Sequence, residues 1–206
     1  MKNYKIGIAT LVLSSLILCF SCASNRAQKN SSLSDIIDKE NILTILQWDV
    51  RDRTLFCIVA SDTQKTEEST IPFERLSFYE KANHNLMKIH EFEEMSFLNM
   101  FHLYDGNLMT LWTSGSAVHV NIFTVDDQGK IKLVLQDGVK EMPEIVDVDS
   151  DGSTELLFSS GSVLQKSSNR VYPESTRVYR WDGNSYNLIK TVPWTTRFDA
   201  LKGLKK

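Results

Sequence analysis

From residue 50 onward, apolar positions recur every second residue rather than at helical spacing. Val118-His119-Val120-Asn121-Ile122-Phe123-Thr124-Val125 puts Val118, Val120 and Ile122 on one face, and Ile131-Lys132-Leu133-Val134-Leu135 alternates too. Period-two alternation is the signature of a half-buried strand. Asp126-Asp127-Gln128-Gly129 between them has the composition of a hairpin turn. The design recurs at Arg177-Val178-Tyr179-Arg180-Trp181, the turn Asp182-Gly183-Asn184, then Ser185-Tyr186-Asn187-Leu188-Ile189. Only residues 35–48 offer a rival pattern. Ser34 can cap a short helical turn, with Ile36, Ile37, Leu43 and Leu46 partly in helical register, while Ile42 to Trp48 also fits a buried strand. The expectation is a helical turn, then a strand from Ile42, and an all-β, mainly antiparallel protein.

A repeat organises these strands. Asp105-Gly106, an apolar run, then Ser114-Gly115-Ser116 leads into the first hairpin. Asp151-Gly152, an apolar run, then Ser160-Gly161-Ser162 leads into the second, an offset of 46 residues. A fainter copy begins at Asp52, with Leu55 to Val59 as its strand and Leu76-Ser77-Phe78-Tyr79 and Leu86-Met87-Lys88-Ile89 as its hairpin. Units of about 40–50 residues with four strands each are blade-like and must stack on neighbours to bury their faces. The expectation is about three antiparallel blades over residues 35–206, a partial or small β-propeller-like architecture. Ring closure stays open: it needs a fourth blade from residues 35–50 plus the C-terminus, or partner chains. Residues 63–72 and 164–176 are polar and Pro-bearing, and read as loops on a single rim.

The N-terminus reads as a targeting signal. Lys2 and Lys5 precede fifteen uncharged residues, 6–20, fewer than the ~20 that span a bilayer as a helix and suited to a signal-peptide core. Cys19-Phe20-Ser21-Cys22 resembles a bacterial lipoprotein box, with small Ser21 before the Cys22 to be acylated. The division is then residues 1–21 signal peptide and 22–34 lipid-anchored flexible tether, rich in Ser and otherwise largely polar. The resemblance implies anchoring in the bacterial cell envelope, with the outer membrane and its periplasmic face favoured. Ordinary secretion with cleavage near Ala23 is the alternative.

Charge and composition narrow the function. A net charge of −3 carries no basic stripe and argues against nucleic acid as a partner. Cys57 lies in an apolar run and reads as buried. No phosphate loop, HExxH or nucleophile elbow is present in the sequence. Ser116, His119 and Asp105 are the one conceivable catalytic trio, though a triad is defined by geometry rather than by closeness in sequence. Trp112 and Trp181 hold similar places in their repeats and are core residues or platforms for a sugar or peptide.

One motif carries chemistry. Residues 147–155 read Asp-Val-Asp-Ser-Asp-Gly-Ser-Thr-Glu. Asp147, Asp149 and Asp151 converge if the chain wraps a point, Gly152 permits a sharp turn that brings the Ser153 carbonyl inward, and Glu155 closes the shell. That all-oxygen set suits one Ca²⁺. It is not an EF-hand, since Phe158 holds the twelfth position. The stretch DVDSDGSTELLF, followed by the VYRWDGNSY hairpin, resembles the FG-GAP repeat family of integrin-alpha-like β-propellers. The resemblance implies a loop bridging two strands of a blade, with Ca²⁺ on Asp147, Asp149, Asp151 and Glu155 and on the carbonyl of Ser153. The other repeats have Phe101 and Leu103, or Trp48 and Val50, at the ligand positions, so one site is expected. The functional expectation is an envelope-anchored, calcium-stabilised binding or assembly module for a protein or carbohydrate ligand. An envelope hydrolase with a rim-loop active site is the alternative.

Overall fold

The computed structural model describes residues 32–37, 39–65, 70–82, 85–94, 96–165 and 170–196. Cys22, the signal segment and most of the tether lie outside these residues. Among them, no helix is long and apolar enough to cross a membrane.

The fold is all-β, built from three four-stranded antiparallel sheets. Sheet 1 runs in chain order through β1 (Asn41–Val50), β2 (Arg53–Lys65), β3 (Thr70–Ala82) and β4 (Asn85–Glu94). Sheet 2 repeats that path with β5 (Ser96–His102), β6 (Leu108–Ser114), β7 (Ala117–Val125) and β8 (Ile131–Val139). Sheet 3 starts with β9 (Glu144–Val146) and β10 (Glu155–Ser160). A separate two-stranded ribbon, β11 (Val163–Gln165) with β12 (Arg170–Tyr172), intervenes before β13 (Ser175–Trp181) and β14 (Tyr186–Pro193). Each expected repeat, counted from its Asp, thus supplies the second to fourth strands of one sheet, and that sheet's first strand lies just before the Asp. Asp52, Asp105 and Asp151 all sit in the connection between the first and second strands of their sheets.

Alternation along sheet 2 explains the stacking. Leu108 and Trp112 of β6, with Phe123 and Val125 of β7, join Trp48, Leu55, Cys57, Val59, Leu76 and Phe78 of sheet 1 in one core. The intervening Met109, Leu111, Val120 and Ile122 meet Leu156, Phe158 and Tyr186 of sheet 3 in a second. Sheet 2 is thus apolar on both faces and lies between the others. Phe101, Leu103, Trp48 and Val50, which replace aspartates at the ligand positions of the other repeats, all belong to these cores. Cys57 is fully buried as a free thiol, and burial raises its pKa.

Three local expectations differ from the structure. The helix α1 spans Leu33–Ile37 and is capped by Ser32, not Ser34: Ser32 Oγ accepts from Asp35 N at 3.1 Å while Ser32 N donates to the Asp35 carboxylate at 3.1 Å. This reciprocal capping starts the helix inside the expected tether, and Ile36 packs against Ile58, Tyr79 and Leu86 on the outer face of sheet 1. Residues 63–65 and 70–72 are strand, because β2 and β3 continue pairing out to Lys65 opposite Thr70. Part of 164–176 likewise forms the β11–β12 ribbon and the start of β13. Residues 41–50 complete sheet 1, so they supply no fourth blade.

In an up-and-down sheet the first and third connections lie at one end and the second at the other. One rim of the stack therefore carries the turns at 51–52, 103–107, 126–130, 147–154 and 182–185. Contacts between sheets tie it together: Trp48 Nε1 donates to the Gly106 carbonyl at 2.8 Å, Arg53 donates to the Gly129 carbonyl, and the Tyr186 hydroxyl bonds Asp105.

Candidate functional site

Two features share this rim. The first is the β9–β10 loop. Gly152 takes a φ of +87°, and Ser150 is also left-handed at +61°, so the chain folds back as the Gly152 argument requires. The Asp147 carboxylate accepts from Gly152 N at 3.0 Å and Asp151 N at 3.2 Å, and Asp151 Oδ1 accepts from Ser153 N at 2.9 Å. Asp147, Asp149 and Asp151 come together, with one carboxylate oxygen of each within 4.8 Å of the others.

Glu155 is placed differently. It is fully buried and spans back to the chain: Oε2 accepts from Val148 N at 2.9 Å, and Oε1 takes Arg180 Nε at 2.6 Å. Arg180 also reaches Asp149 Oδ2 at 2.7 Å and Asp151 at 3.7 Å. The hydrogen bond to Asp149, then that to Glu155, raises the already high pKa of the guanidinium. The three aspartates thus form a hard-oxygen cluster matching the donor chemistry of Ca²⁺. Buried Glu155 and half-buried Arg180 form a strut that ties the loop to β13. Ser153 is exposed and contributes its amide to the turn.

The second feature, which sequence reasoning missed, is a cleft of about 520 Å³ walled by one turn from each sheet: Arg51 of sheet 1, Asp126, Asp127 and Lys130 of sheet 2, and Trp181 and Asn184 of sheet 3. Arg51 and Asp52 make the two-residue β1–β2 turn with φ of +49° and +60°. That conformation favours Asn-Gly, and side chains held in it cost free energy. Here it directs Arg51 into an ion pair with Asp127 across the cleft. Asp126 accepts the amides of Lys130 and Gln128, each at 2.9 Å, and pairs with Lys132 at 3.2 Å. The Lys130 amide, foremost, holds its pKa below the usual aspartate value. Trp181 leans on Tyr186 with ring centroids 5.0 Å apart. Trp112, its counterpart in sheet 2, is fully buried and bonds Thr110.

The conceivable catalytic trio does not assemble. Asp105 lies in the β5–β6 turn, bonded to Tyr186, while Ser116 lies in the β6–β7 turn at the far end of β6. Seven residues of strand at about 3.3 Å each separate the two turns by roughly 20 Å. His119 faces Trp112 in the sheet.

No protein-family model matches the chain, and no curated protein does. Among solved structures, a Bombyx mori GH32 beta-fructofuranosidase is similar at 12% identity and a TM-score of 0.32, over 75% of this chain and 38% of that one. The chain thus spans little more than a third of that protein, and a likeness at this level carries no functional argument.

Proposed function

We propose that the protein is a lipid-anchored, non-enzymatic binding module of the bacterial cell envelope, with one rim stiffened by Ca²⁺. The observation that carries the reading is the cleft made by a turn from each sheet, because only the assembled stack creates it. Asp147, Asp149 and Asp151 hold the ion, the arrangement that the FG-GAP resemblance suggests for this loop, and Glu155 supports the loop through Arg180 rather than closing the shell. Cys22 is acylated and residues 23–31 lead from the membrane, with the outer membrane and its periplasmic face favoured.

Two measurements test this. Labelling with a fatty-acid analogue marks the wild type and not Cys22→Ser; a labelled variant overturns the anchor. Generic ester, glycoside and phosphomonoester substrates remain unchanged in the presence of the purified full chain. Turnover lost on substitution of the cleft residues overturns the non-enzymatic reading.

A further inference from the structure

The character of the cleft narrows the ligand, given the binding-module reading above. Its aspartates are occupied: Asp126 is held within its own turn by two backbone amides and Lys132, and Asp127 pairs with Arg51. The ammonium of Lys130 has no ion pair among the described residues, so the charge offered to a ligand is positive. A second hollow of about 380 Å³, lined by Arg53, Ile89, His90 and Ile131, shares Lys130 with the first. Lys130 borders both hollows, so a ligand long enough to span them lies along a groove with that cation at its middle. Trp181 stands on one side of that cation, and Ile89 and Ile131 on the other. Clefts of this size hold ligands of several rings. Apolar surfaces spaced along a polar groove suit the C–H faces of successive pyranose rings. The remaining guanidinium donors of Arg51 and the amides of Gln128 and Asn184 suit their hydroxyls.

We propose that the rim groove running from Trp181 across Lys130 to His90 binds an acidic oligosaccharide, with a ring carboxylate on Lys130 and a pyranose face on Trp181. A peptide polyanion would use the cation but not the indole. A neutral sugar would use the indole but not the cation.

Titration calorimetry on the full chain in mild detergent tests this with three probes: tri-galacturonate, cellotriose and hexaglutamate. Tri-galacturonate binds saturably at one site, and added salt weakens it. Lys130→Gln, an exposed change that leaves the fold intact, weakens it about tenfold, a loss typical of one charge-assisted contact. Trp181→Ala weakens it by a similar factor, and Trp181→Phe restores most of the affinity. Hexaglutamate bound as tightly as the sugar overturns the proposal in favour of a peptide. Cellotriose bound equally well overturns the acidic requirement. Affinity indifferent to both Lys130→Gln and Trp181→Ala places the site elsewhere and overturns the groove. Failure of all three probes overturns the glycan assignment but leaves the binding-module reading, which the turnover assay decides separately.

Discussion

Asn121 lies fully buried on β7 between sheets 1 and 2, beside Thr110 and close to Phe123, and among the described residues neither atom of its amide has a hydrogen-bond partner. A buried polar group left unpaired costs about 1–3 kcal/mol. Asn121→Leu, of similar size, should therefore gain about 1 kcal/mol and raise Tm by about 2–4 °C at this chain length; a lower Tm in a calorimetric scan would show that the amide is satisfied. Asp182 illustrates the opposite case. Its carboxylate accepts the amides of Ser185 and Asn184, each at 2.8 Å, and the Asn187 side chain at 2.7 Å. These bonds, that of Ser185 foremost, lower its pKa below the ordinary 3.8. A carboxylate with a depressed pKa stabilises the fold above its unfolded value, and the gain is lost as pH falls through the folded value. Asp182→Asn keeps the turn's acceptor but removes the charge. It should melt below the wild type at neutral pH, and the gap should close as pH drops well below 3.8. A gap that persists in acid would assign the loss to packing.

At the scale of elements, the β9–β10 loop and β13 act as a pair. Among the described residues Arg180 is the sole cation on the fully buried Glu155, so Arg180→Met strands that carboxylate and should cost about 3 kcal/mol in denaturant unfolding; Arg180→Met combined with Glu155→Gln should recover much of the loss. Ca²⁺ bound only by the folded state at a hundredfold excess over Kd adds about 2.7 kcal/mol, a rise of roughly 5–10 °C in Tm. Asp149→Ala should abolish that rise. Asp105→Ala, which loses the bond to Tyr186, should lower the starting Tm and leave the rise intact. No saturable binding at millimolar Ca²⁺ would reduce the loop to a solvated turn. The three aspartates were legible because their convergence depends only on neighbours in the chain and on Gly152. Arg180 was not, because only the strand register that sets Glu155 opposite Arg180 brings it there. Without that partner, Glu155 reads as a fourth ligand.

The whole molecule follows the same division between local and assembled information. Alternation and the Asp-Gly spacing revealed three four-stranded units, since each sheet is contiguous in sequence. The cleft was hidden because its walls come from residues 51, 126–130 and 181–184, and the paired backbone of residues 63–65 and 70–72 was hidden by their polar composition. What makes the units one molecule is sheet 2, which belongs to both large cores; among the described residues the outer sheets keep only smaller clusters of their own, around Ile36 and Ile58 on sheet 1 and Leu157 and Val178 on sheet 3. Ile122 and Phe123 are adjacent in β7, yet Ile122 faces sheet 3 and Phe123 faces sheet 1, with a register shift against β8 between them. Ile122→Ala and Phe123→Ala should each cost about 3 kcal/mol through the cavity left behind. If the stack is cooperative, either change lowers one shared transition, and hydrogen exchange speeds up in sheets 1 and 3 alike. The milder Ile122→Val and Phe123→Leu should show the same pattern at smaller amplitude if the alanine variants fail to fold. Exchange confined to sheet 3 in the Ile122 variants and to sheet 1 in the Phe123 variants would mean that the sheets open independently. A cleft walled by all three would then lose its shape whenever either outer sheet opened.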